Sequence, residues 1–245
     1  MNESFIDVIE FAVDLYKTII SDEIVAFISK ATASICLLLK TSVYLCLKSL
    51  PDLWRLMISP IVIEQDQQLY QMVEDSLMAT TKMTPISEDL MKAFIRSYKE
   101  NENNYSSIVI LFNAFSNNLK NSEPAAIKDN YNNIAQFLVI GFMNKANTNA
   151  GLTSSELDYL ESNYEQKLVV QDAIIDSFCV FLSTLNLPYI NATIRNVVDF
   201  FKEFMKLNVD GGSEGVNKVE CISYRLMFAR LMIKVTNGLD KILEQ

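Results

Sequence analysis

Four acidic residues, Glu156, Asp158, Glu161 and Glu165, fall within one short stretch just after the asparagine-rich segment 144–151. Carboxylates alone can do acid–base chemistry where two of them meet in space, and nothing in the sequence points to a particular pair. They have no histidine to work with, because the 245-residue chain contains none. That removes Ser-His-Asp and Cys-His catalysis, His-containing zinc sites and haem ligation by histidine. The cysteines Cys36, Cys46, Cys179 and Cys221 form no C-x-x-C pair and lie in apolar helical surroundings, so they read as buried, reduced thiols. The glycine-rich segment 210–215 (DGGSEG) lacks a Walker lysine. No nucleophile elbow, dinucleotide fingerprint or kinase signature occurs either. The sequence names no catalytic residue, no cofactor-binding residue and no metal ligand, and no cofactor is expected.

The segment leading into the acidic stretch is a helix start. Thr153 can cap, Glu156 three positions on can close a capping box, and Leu152 and Leu157 stand where a hydrophobic staple forms. Counted as a twelve-residue loop from Lys145, the segment also resembles an EF-hand. Asn147 and Asn149 take ligand positions 3 and 5, Leu152 position 8 and Glu156 position 12. Lys145 puts a positive charge in the first ligand position, however, and Ala150 replaces the glycine of position 6. A loop followed by a helix-borne glutamate is similar, too, to the small helical TerB-type tellurite-resistance domains, whose paired aspartates are missing here. Helix capping accounts for these residues without a metal.

The charges suggest surfaces rather than chemistry. With 30 acidic against 21 basic residues the net charge is −9, so a broad phosphate-binding face is not expected. The acidic face Glu156, Asp158, Glu161, Glu165 has a basic counterpart in Lys92, Arg96 and Lys99. Such faces steer a protein partner or meet in self-association. Arg230, Lys234 and Lys241 line one face of the last helix, with Lys218 and Arg225 on another. They can dock on acidic faces of their own fold, on an acidic partner or on an anionic membrane surface.

These residues must be positioned by helices. Six glycines and five prolines are too few for the turns of a β-sandwich or barrel, and apolar residues recur at helical spacing throughout. Residues 3–20 are amphipathic and have acidic first charges, so they are not a signal peptide. Residues 21–49 are the most apolar region, with 26–49 its possible membrane segment, and from Ala31 to Leu47 the only charge is Lys40. A mid-helix lysine costs roughly 2.5–3.5 kcal/mol on insertion scales, which favours a core helix over a membrane helix. Lys30, Ser34, Thr41, Tyr44 and Lys48 make one wet edge on it, and Lys30, Lys40 and Lys48 can meet a partner or a membrane. Pro51 starts a short helix with Trp54 and Arg55. Further helices are expected over 61–79, 88–100, 107–119, from Pro124 to near Asn144, from Thr153 with a break near Gln166, over 172–185, over 194–207 and over 216–243.

Two blocks echo each other. Residues 86–100 lie over 152–166, pairing Ile86 with Leu152 and Tyr98 with Tyr164. The same offset pairs Ile108, Phe112 and Phe115 with Ile174, Phe178 and Phe181, and Pro124 then follows Pro188 at a slightly changed offset. A three-helix unit of about 65 residues used twice would produce this. The expected fold is all-α, a multi-helix bundle or short helical-repeat array with that internal duplication. Residues 1–60 would be apolar helices packing on a duplicated region 61–245, or the chain would form one continuous domain. The expected function is that of a non-enzymatic interaction or adaptor protein, cytoplasmic or peripheral to a membrane. The alternatives are a membrane-associated effector or pore component using residues 26–49, and a metal-binding or enzymatic module at the repeat loops.

Overall fold

A computed structural model describes residues 30–37, 39–40, 50–64, 67–143, 154–210 and 218–243. All regular structure among them is helical. The helices are α1 (Leu50–Met57), α2 (Pro60–Ile63), α3 (Gln67–Met83), α4 (Glu88–Glu100), α5 (Tyr105–Asn121), α6 (Pro124–Asp129), α7 (Tyr131–Phe142), α8 (Ser154–Ser183), α9 (Leu187–Asp210) and α10 (Lys218–Leu243). The chain divides into two compact units, Met1–Phe137 and Leu138–Gln245.

The first unit is organised around aromatic residues. Helical spacing predicts an inward stripe of Leu90, Met91, Phe94, Ile95 and Tyr98 on α4; four of these are buried, and Ile95, at the edge of the stripe, is only half-buried. Phe94 lies 5.0 Å from Trp54 of α1, 5.4 Å from Phe115 of α5 and 5.6 Å from Phe137 of α7, centre to centre. Phe112 stacks on Phe137 at 4.8 Å, and Tyr98 meets both rings edge-on. Each such ring withdraws on the order of 150–250 Å² from water. One face of residues 30–37 and 39–40 belongs to the same core. Thr32, Ile35, Cys36 and Leu39 are buried, Ser76 donates to the Cys36 carbonyl, and Leu37 points to solvent. The described part of the apolar stretch 26–49 therefore turns one face into this core and leaves Lys30, Ser34 and Leu37 exposed. No helix among the described residues is long and apolar enough to cross a membrane.

Asparagine and serine side chains close the helix ends of this unit. Ser87 accepts from the Leu90 amide and Asn104 from the Ser107 amide, capping α4 and α5. The last carbonyls of α3 have no partners within that helix. Asn118 of α5 donates to the Thr81 carbonyl there and to the Thr84 carbonyl just beyond the helix, and Asn117 donates to the Met78 carbonyl one turn earlier. Asn101 reaches the Arg55 carbonyl, and Ser107 the Ile58 carbonyl.

Helix boundaries depart from the sequence expectations in three places. The helix expected over 61–79 is two, because Pro60 starts the single turn α2 on the Ser59 carbonyl before α3 begins. The helix expected from Pro124 breaks at Asn130, whose side chain bonds back to the Ala126 carbonyl and ends α6. The break expected near Gln166 is absent: α8 runs unbroken for 30 residues. Residues 161–171 contain neither proline nor glycine, so nothing there competes with the helix.

The second unit is built from α8, α9 and α10. Phe142 meets Phe178 and Phe201 edge to face, and Phe228 tilts onto Phe201 at 5.0 Å. Arg230 pairs with Asp172 and Lys234 with Asp176. Both partners advance by four residues together, so α8 and α10 run parallel and α9 returns between them in the chain.

Candidate interaction site

The candidate site is the outer face of α4. Because Leu90, Met91, Phe94 and Tyr98 turn inward, Lys92, Arg96 and Lys99 stay exposed, with half-buried Ile95 beside them. Lys92, Ile95, Arg96, Lys99 and Glu100 line a groove of about 630 Å³. Ile95 supplies its apolar part, and three cations stand around it. The rim is braced. Arg96 reaches Asp52 of α1 at 2.8 Å and Glu100 at 3.3 Å, and Glu100 reaches Arg55 of α1 at 3.2 Å. Lys92 pairs with Glu88 at 2.8 Å and Asp89 at 3.7 Å within the helix. The hydrogen bond and charge of Lys92 lower the Glu88 carboxyl, and Glu88 raises the Lys92 ammonium in return.

The groove is lined by lysine, arginine, glutamate and isoleucine side chains. What it offers is apolar contact flanked by cations, a chemistry that recognises carboxylates carried on an apolar surface. Among the described residues no group of three or more acids and cysteines is placed to hold a metal. The thiols of Cys36 and Cys179 are each pushed up to about 11, by burial first, which suits packing better than reactivity. Cys46 and the side chain of Cys221 lie outside the described residues.

The other basic residues singled out in the sequence lie elsewhere. Arg230 donates to Gln171 at 2.6 Å and to Asp172 at 2.8 Å, and Lys234 to Asp176 at 2.7 Å and Asp172 at 3.1 Å. Of the three docking surfaces open to that face, these two cations use their own fold. Burial lowers the Lys234 ammonium, but the bonds and charges of Asp176 and Asp172 outweigh it, so its pKa is raised. Lys30 is exposed, and Lys40 lies 3.7 Å from Asp75. Lys48 and the side chain of Lys241 are outside the described residues, as are residues 144–153 and the side chains of Glu156, Asp158 and Glu161. Glu165 is exposed.

Sequence reasoning did not name Asp172 or Asp176 as partners. Their spacing of four residues matches that of Arg230 and Lys234, and that match was the available signal. Asp52 gave no comparable signal, because its partner lies on a helix beyond two intervening elements. No family model, curated protein sequence or solved structure matches the chain.

Proposed function

We propose that this protein is a non-enzymatic helical interaction or adaptor module, and that the outer face of α4 docks an acidic, amphipathic segment of a protein partner. One observation carries the reading: Ile95 sits among Lys92, Arg96 and Lys99 in a single groove on a helix fixed from behind by Phe94 and Tyr98. A face held this way is ordered before its partner arrives, which lowers the entropic cost of binding. The free thiols of buried Cys36 and half-buried Cys179 support a reducing cytoplasm as its setting. The burial of Ile108, Phe112 and Phe115 together with their counterparts Ile174, Phe178 and Phe181 supports a common origin for the two echoing blocks.

The test is fluorescence anisotropy with a labelled helical peptide that carries glutamates at i, i+3 and i+7 beside leucines. Binding should weaken at least about tenfold in Lys92→Glu/Lys99→Glu and fall with added salt. Equal affinity for the double variant, or for a peptide with its glutamates changed to glutamine, would overturn the reading. Arg96 is left intact because it braces α1.

A further inference from the structure

The docking reading leaves the partner open, and the chain itself carries a segment of the required chemistry. We infer that the groove of α4 receives the acidic N-terminal half of α8 from a second copy of this protein; this rests on the docking reading above. The first argument is register. Lys92, Arg96 and Lys99 are spaced four and then three residues apart along α4, whereas Asp158, Glu161 and Glu165 are spaced three and then four along α8. Laid antiparallel, the two series coincide: 99 beside 158, 96 beside 161 and 92 beside 165. Both backbones are helical over these positions, so a rise of about 1.5 Å per residue keeps all three pairs level.

The second argument is composition. Leu157, Leu160 and Tyr164 alternate with the acids in the sequence of α8, and Ile95 is the apolar member of the groove. The third is what the cations of α4 give up. The side chain of Lys92 is 61% exposed, and its present partners Glu88 and Asp89 are surface carboxylates of its own helix. Exposed pairs of this kind contribute roughly 0–1 kcal/mol, so exchanging them for a partner's carboxylates costs little. The cations of α10 are otherwise engaged, since Arg230 and Lys234 hold Asp172 and Asp176 farther along α8.

Sedimentation equilibrium of the full chain at low salt tests this. The wild type should associate with increasing concentration, and added salt should weaken the association. Lys92→Glu/Lys99→Glu makes both faces acidic, and Asp158→Lys/Glu165→Lys makes both basic. Each variant alone should lose at least about tenfold in self-association, and an equimolar mixture should recover it. Circular dichroism checks that both variants stay helical. A wild type that remains monomeric, or variants that self-associate as it does, would overturn the inference. If the acidic peptide of the preceding test still binds, the docking reading survives that failure; if it does not, both fall together.

Discussion

Asn118 offers the sharpest test of how the first unit is held together. It is fully buried, and its Nδ2 donates to the Thr81 carbonyl at 2.9 Å and the Thr84 carbonyl at 2.7 Å. Thr81 lies in the last turn of α3 and Thr84 just beyond it, where the helix supplies no donors of its own. In Asn118→Ala both carbonyls lose this donor in a buried setting, at about 1–3 kcal/mol each. Part of that is returned, because Asn118 Oδ1 is buried without a hydrogen-bond partner and the substitution removes it. The net loss should be about 3 kcal/mol. Trp54 is the only tryptophan in the chain and is buried against Phe94, so its fluorescence reports this unit. With a urea slope of about 2 kcal/mol per molar, the midpoint should fall by about 1.5 M at unchanged slope. Asn118→Asp keeps the shape but turns a carboxylate toward two carbonyl oxygens. It should be worse than alanine at pH 7 and recover as acid protonates it, since the neutral acid can donate once. A midpoint drop below about 0.3 M for alanine, or an aspartate variant indifferent to pH, would refute the capping role.

Alkaline pH should destabilise the protein through its thiols. Burial lifts Cys36 from its ordinary 9.0 to about 11, so the folded state holds this proton more tightly. Its contribution is complete below pH 9 and disappears as pH rises through 11, a loss of about 3 kcal/mol from this one group. Tyr70 and Lys234 are raised as well and act in the same direction. Urea midpoints between pH 8 and pH 11 should fall, and Cys36→Ala should flatten part of the slope. In the second unit, Arg230→Met removes the donor shared by Gln171 and Asp172. Melting followed by circular dichroism should show a loss of about 1–2 kcal/mol, and a double-mutant cycle with Asp172→Asn a coupling of about 1 kcal/mol. Additive losses would mean that the contact does not hold α10 to α8.

Local rules recovered the helical class and most of the inner face of α4, because apolar spacing acts within one element; Ile95, which the same spacing turns inward, lies half-buried beside the groove. They failed at Asn130 and across Gln166 for opposite reasons. At Asn130 a single polar side chain competes with the helix, and a scan for apolar periodicity does not register it. Across Gln166 the polar residues resemble a loop, yet each is compatible with a helix once the apolar residues that follow are packed. Asn117 and Asn118 were unreadable for a third reason. Asparagine inside an apolar helix looks like an interruption until the end of α3 is brought against it.

The basic helices show why spacing alone does not assign a surface. Lys92 and Arg96 on α4 are four residues apart, as are Arg230 and Lys234 on α10, and in the sequence the two pairs look alike. What separates them is the neighbour. α10 lies parallel to a helix bearing aspartates at the same interval, so its cations are consumed in holding two helices together. α4 lies against α1, which carries Asp52 as a partner for Arg96 and Arg55 as a partner for Glu100. Lys92 is left with carboxylates of its own helix, and the groove beside Ile95 stays bordered by positive charge. Which basic face is available for recognition is therefore decided by the carboxylate spacing of the helix packed against it.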